Sequence, residues 1–333
     1  MRHSALFALP AILPRLSPEL RRSLSLESII PLAADNSHLV HTGVLEALGE
    51  VIYAFHQDPE GPPEELVRIF LDRNLLSSPY GRHDNCSMTR TNENITGLPL
   101  LQRGIVEDVR WWETAASSSS SSPNGASSHA LICAFNFPAV ALTLGRSRWD
   151  DLREVYLELA AVEDTNVRRT LAASLGELAR IIGPENARRD LVGVWQDAVR
   201  CQDANARMRA LGCLETFSNA LRGAPGTWED PGGERMSAML GVVEYLLSSW
   251  NEGRFGSWKE RDGVVKALPQ LIKLVGGELP MVFRSLFKLA LEDGVAAVRE
   301  AAVSTVSETR LFKNFYSVQG LIYIDPANLG VVC

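Results

Sequence analysis

Apolar positions along this chain form a stripe of four that returns in one register. The sets are Val44, Leu48, Val51, Phe55; Cys133, Phe137, Val140, Leu144; Leu171, Leu175, Leu178, Ile182; Ala210, Leu214, Phe217, Leu221; and Val264, Leu268, Leu271, Val275, fading at Ala302 and Val306. Steps of four, three and four put each set on one face of an α-helix. Successive sets begin 89, 38, 39, 54 and 38 residues apart. A helical period near 40 residues predicts an all-α fold, a solenoid of stacked antiparallel helix pairs of the HEAT or armadillo kind. Each pair there buries its apolar face only against its neighbours.

Each stripe helix follows a second amphipathic helix and a short polar turn. The pattern predicts helices over 18–31 and 38–56, over 63–74, over 148–161 and 167–182, and over 184–200 and 206–221. Further pairs are predicted over 234–249 and 259–275, and over 278–291 and 295–310. Pro18 and Pro184 suit helix first turns, where no N–H is needed. Gly145, Gly183 and Gly276 follow stripes, where a left-handed cap closes a helix.

The expected organisation is N-terminal repeats over 1–74 (the first partial), a disordered Ser-rich insertion over 75–129, repeats over 130–310, and an atypical tail over 311–333. The insertion holds six consecutive serines at Ser117–Ser122 and explains the 89-residue interval; the Gly/Pro-rich stretch from Gly223 to Gly233 explains the 54-residue one. Phosphorylation of the serines would add negative charge beside the turns and alter partner choice. Within the insertion, Leu98–Trp112 is more apolar, and Trp111 and Trp112 suit local packing or a short docking segment. The apolar opening superficially mimics a secretory signal, but the helix-pair pattern resumes at Pro18, so it reads as a truncated helix.

Composition narrows the function. A 46% hydrophobic fraction supplies a continuous core, and a net charge of −7 disfavours an electrostatically driven nucleic-acid or membrane surface. No apolar run approaches the roughly 20 residues of a membrane span. Five cysteines without regular spacing predict free thiols in a reducing compartment, hence a cytoplasmic and nuclear protein. There is no Gly-rich phosphate loop, nucleophile elbow or zinc-protease helix. His129 and Cys133 stand at i and i+4, but no second pair supports a metal, and Cys133 belongs to the stripe. Neither catalytic residues nor a metal nor a cofactor is expected.

One polar element recurs: an acidic turn and then an arginine on the next helix, in Asp164…Arg168, Asp203…Arg207 and Asp293…Arg299. Structurally, the acid caps the helix and the arginine reaches an acid of the same or next repeat. Functionally, turn residues point off one edge of the rod and touch a partner. The candidate contact residues are Asp164, Asn166, Arg169, Asp203, Asn205, Met208, Arg209, Trp258, Arg261 and Asp293. Trp258, at a turn, is either a wedge between repeats or an interface anchor. Trp149 and Trp195 lie at helical spacing among apolar neighbours and are expected to pack.

The wording of several repeats is specific. Cys133-Ala-Phe-Asn-Phe-Pro-Ala-Val-Ala-Leu-Thr-Leu-Gly-Arg, then Trp149-Asp-Asp-Leu-Arg-Glu-Val-Tyr, then Val167-Arg-Arg-Thr-Leu-Ala-Ala-Ser-Leu-Gly-Glu-Leu-Ala resembles the HEAT-repeat regulatory subunit 1 family of serine/threonine protein phosphatase 4. Ala187-Arg-Arg-Asp-Leu-Val-Gly-Val-Trp and Trp258-Lys-Glu-Arg-Asp-Gly-Val-Val look similar too. More distantly they resemble the phosphatase 2A scaffold subunit. The resemblance implies a non-catalytic subunit that binds a phosphatase catalytic subunit along the turns and steers it to phosphoprotein substrates. The contacts it implies are turn positions 164–169, 202–208, 258–261 and 293–298, any metal belonging to the partner. An importin-like or assembly adaptor gripping extended peptides is the alternative, though a regular inward ladder of Asn and Trp is missing.

Overall fold

A computed structural model describes residues 6–35, 37–71, 124–222, 234–275 and 280–308. Every regular element among them is helical, so the all-α reading holds. The chain divides into two compact units, residues 1–171 and 172–333, with the boundary inside one helix.

In the N-terminal unit a single turn over Leu9–Ile12 precedes α1 (Pro18–Ala33), α2 (His38–Tyr53), α3 (Glu64–Leu71), α4 (Asn124–Leu144), α5 (Trp149–Ala161) and the start of α6 (Thr165–Ile182). Pro18 opens α1 at its first position, and the Ser17 hydroxyl accepts from the Leu20 N–H. Short connections make α1 and α2 a hairpin. Helix α2 packs on α1, α3 and, most extensively, α4, which in turn packs on α5. That close approach depends on Gly49: a Cβ there would stand 2.4–2.6 Å from side-chain atoms of Asn136. Asn136 is buried and donates through Nδ2 to the Leu45 carbonyl at 3.4 Å. Phe137 of the second stripe meets Tyr156 at 5.0 Å, Phe70 at 6.0 Å and Trp149 at 6.4 Å between ring centroids, the core of this unit.

The C-terminal unit continues from α6 through a turn at Pro184–Asn186 and a π-helical turn at Ala187–Leu191 into α7 (Val192–Arg200). Then come α8 (Ala204–Gly212), α9 (Leu214–Arg222), α10 (Glu234–Asn251), α11 (Trp258–Val275), α12 (Met281–Leu291) and α13 (Ala296–Glu308). Helix α11 is its hub, packed on α8, α9, α10, α12 and α13. Trp195 is fully buried against Phe217 and Tyr245, its indole donating to the Ala210 carbonyl at 3.0 Å. Trp149 and Trp195 therefore pack, as expected.

Every stripe side chain that the structure describes is buried, from Val44 through Val306. Four details differ from the sequence reading. The helix expected over 206–221 is two, α8 and α9, broken after Gly212; helical hydrogen bonds run on either side of Cys213, so the stripe stays in register. The segment over 184–200 is not one regular helix: the turn at Pro184–Asn186 and the π-helical turn precede α7. Gly145 and Gly183 have positive φ (73° and 85°), but ψ of 173° and 167° is extended rather than left-handed helical, a region essentially reserved for glycine. Helix α4 starts at Asn124, within the span assigned to the insertion. The rest of that insertion with its serines and Trp111–Trp112, the Gly223–Gly233 stretch, Gly276 and the tail lie outside the described residues. No single described helix is long and apolar enough to cross a membrane.

Candidate partner-binding edge

The turn that leads into a second helix faces one chemical problem: its carbonyls have no helical partners. An arginine on the first turns of the following helix solves it four times with one spacing. Arg168 donates to the Val162 carbonyl at 2.9 Å, Arg207 to Cys201 at 2.8 Å, Arg261 to Phe255 at 2.9 Å and Arg299 to Asp293 at 2.7 Å, each reaching back six residues. The turn acids cap the same helices. Asp164 Oδ1 accepts from the N–H groups of Asn166 and Val167, Asp203 Oδ1 from Asn205, and Asp293 Oδ1 from Val295. The arginines thus go first to main-chain carbonyls, a partner the sequence reading did not foresee.

In the C-terminal unit two of them also bridge repeats. Arg207 Nε donates to Glu260 Oε1 at 2.7 Å, with side chains 13% and 1% exposed. Arg261 Nε donates to Asp293 Oδ2 at 2.5 Å and Nη2 to Oδ1 at 3.2 Å, a two-pronged pair. Glu260 was missed from the sequence, yet its signal was there. Ser257-Trp-Lys-Glu260 is a capping box: the Ser257 hydroxyl accepts from the Lys259 N–H, and Glu260 Oε2 accepts from the Ser257 N–H. One carboxylate therefore caps α11 and anchors α8. Burial pushes the Asp293 pKa up, but the Arg261 and Val295 hydrogen bonds and the charges of Arg261 and Arg299 outweigh it and hold the carboxyl below its usual range.

The candidate residues sort by what these contacts use. Asp164, Asp203, Asp293 and Arg261 belong to the caps and bridges. Asn166 is exposed and Arg169 half-buried at the start of α6; Asn205 and Arg209 are exposed and Met208 half-buried on α8. Arg209 also borders an open groove of about 340 Å³ with Gly176, Glu177 and Thr216. Trp258 is 42% exposed with the Lys259 ammonium 5.9 Å from its ring centre, which places it on the surface rather than between repeats.

Among the described residues no cluster of three or more His, Cys, Asp or Glu gathers as a metal site would require. Burial raises the thiols of Cys133 and Cys213 to about 12, so neither is poised as a thiolate.

Comparisons with known proteins agree with the repeat wording. Residues 133–225, from the stripe of α4 to just past α9, match the model of the protein phosphatase 4 regulatory subunit 1 middle domain. The human and mouse serine/threonine-protein phosphatase 4 regulatory subunit 1 proteins are each 32% identical over 179 residues, 53% of this chain and 17% of their own length. The rat protein matches to the same extent. The chain thus spans a minor part of these relatives, all named as regulatory subunits. Over about half its length it is similar to regulatory subunit 1 of serine/threonine protein phosphatase 4, as its sequence had suggested.

Proposed function

We propose that this chain is a non-catalytic regulatory or scaffold polypeptide that holds the catalytic subunit of a phosphatase 4-type enzyme and brings it to phosphoprotein substrates. The observation that carries this is the match over residues 133–225, which contains two arginine-braced turns, at Asp164–Arg169 and Asp203–Arg209. Such turns suit protein binding: caps and arginine–carbonyl bonds hold their main chain before any partner arrives, which lowers the ordering cost of association. Exposed Asn166, Asn205 and Arg209 and half-buried Arg169 and Met208 are the contact residues of this reading. The protein acts in cytoplasm and nucleus, which a fluorescent fusion tests.

The deciding measurement is capture of purified phosphatase 4 catalytic subunit by the full chain. Binding is expected, with the purified chain alone inert toward a phosphopeptide. Failure of the wild-type chain to capture the catalytic subunit removes the reading. The pair Arg169→Glu and Arg209→Glu is expected to weaken capture by roughly tenfold or more through like-charge juxtaposition; unchanged capture places the interface elsewhere on the chain.

A further inference from the structure

The turn between α10 and α11 lies beyond residues 133–225, the span of the family-model match, and has a built surface of its own. Hydrogen bonds hold its main chain at both ends. Gly253 takes φ 71°, the N–H groups of Glu252, Gly253 and Arg254 donate to the carbonyls of Ser248, Trp250 and Ser249, and Phe255 is buried edge-on against Trp250. Arg261 and the capping box close the other end. On this platform stand the exposed side chains of Arg254, Trp258 and Lys259, with the exposed Glu252 carboxylate beside Arg254.

Charge bookkeeping gives the platform its sign. Glu260 is turned inward and neutralised by Arg207, and Asp262 is paired with Lys266 at 2.7 Å. Glu252 is shared between Arg254 at 2.8 Å and Arg200 at 3.7 Å, while the charges of Asp197 and Arg200, both on α7, act in opposite senses on Tyr245. Lys259 has the face of Trp258 beside it and, among the described residues, no carboxylate. A chain that is acidic as a whole therefore presents here a cationic tip around an exposed tryptophan, the residue types that anchor protein interfaces.

We infer that the α10–α11 turn is a docking patch for an acidic protein segment, with Lys259 taking a carboxylate, the Arg254 Nη groups beyond its Nε bond to Glu252 taking another, and Trp258 taking an apolar side chain between them. The inference rests on the turn edge being a protein-contact surface, as proposed above, and gives that surface its chemistry. Preorganisation favours a folded or extended acidic strand over a partner that must itself reshape the loop.

The test uses the full chain and a fluorescein-labelled peptide of glutamates around one leucine, with a glutamine peptide as the neutral control. Anisotropy is expected to report binding of the acidic peptide alone, weakening as salt rises. Arg254→Glu with Lys259→Glu is expected to weaken it by roughly tenfold or more, Trp258→Ala severalfold, and the swaps Arg254→Lys with Lys259→Arg hardly at all. Equal binding of the glutamine peptide, an unaltered charge-reversal variant, or tighter binding of oligouridylate to the same cations overturns the inference. Thermal melts of each variant matching the wild type show that the loss is not unfolding. Capture of the phosphatase 4 catalytic subunit is the separate arm. A wild-type chain that binds the peptide through this patch but captures no catalytic subunit sinks the phosphatase reading and keeps the patch. A charge-reversal variant that captures it normally and binds the peptide normally sinks the patch alone.

Discussion

In the N-terminal unit Arg21 leaves the first helix of a pair and collects the carbonyls of Leu13, Leu16 and Ala54 together with Asp58 at 2.6 Å, all around its own hairpin. In the C-terminal unit Arg207 and Arg261 leave second helices, take the turn behind them, and then reach forward to Glu260 and Asp293 of the next repeat. Both arrangements satisfy carbonyls that would otherwise be orphaned in a half-buried turn. Only the second makes each turn part of its neighbour. There the spacing of successive turns is set by side-chain bridges, whereas around Arg21 the bridge stiffens one hairpin.

The largest expected effect breaks the bridges. Arg207→Ala leaves Glu260 buried and uncompensated and is expected to cost about 3–5 kcal/mol in urea unfolding, whereas Arg148→Ala, which opens the exposed pair with Glu64, costs less than about 1 kcal/mol. Replacing the pair together, Arg207→Met with Glu260→Leu, is expected to restore most of that stability. A double variant no better than the single one would mean that the Arg207–carbonyl bonds, and not the ion pair, hold the turn.

Next come the helix crossings. Gly49→Ala forces a methyl group onto Asn136 at 2.4–2.6 Å and is expected to cost roughly 1–3 kcal/mol of the N-terminal unit's stability. Gly176→Ala, whose methyl meets the Thr216 Cβ at 3.0 Å and the Cys213 carbonyl at 3.3 Å, is expected to cost less, because these contacts are wider and need a shift of only a few tenths of an ångström. Equal losses in thermal melts would show that both crossings are equally rigid.

Smaller is the acid limb of the Arg261–Asp293 bridge. The lowered pKa of Asp293 means that its stabilisation is complete above the unfolded value near 3.9 and is lost as pH falls through the folded value. Asp293→Asn is therefore expected to flatten the stability profile below about pH 4 relative to wild type; an unchanged profile would assign acid sensitivity to other carboxylates. Smallest in energy is thiol reactivity. Cys133 and Cys213, one in each unit and both raised to about 12, are expected to resist iodoacetamide in the native chain at pH 8, and mass spectrometry of peptides reads this directly.

Much of this was legible in advance, because burial of a helix face follows from spacing alone. The stripes, the helix pairs and the buried tryptophans Trp149 and Trp195 could be placed from apolar periodicity. The caps at Asp164, Asp203 and Asp293 could be read because capping is local. Glu260 was within reach through its capping box but was hidden by its neighbours, since a capping glutamate and an exposed one look alike until the next repeat is in place. The Gly49–Asn136 crossing and the carbonyl-seeking arginines had no local signal, since their partners lie 33 to 91 residues away or are main-chain atoms that carry no residue identity.

The sequence alone determined which faces are greasy, that the helices come in pairs and that acids precede second helices, because each of these depends on neighbours within two turns. Tertiary structure alone decided which charges vanish into bridges and which remain at the surface. Whether Lys259 meets solvent or a carboxylate depends on how α8, α10 and α11 pack, and packing is a property of helices brought together rather than of any one of them.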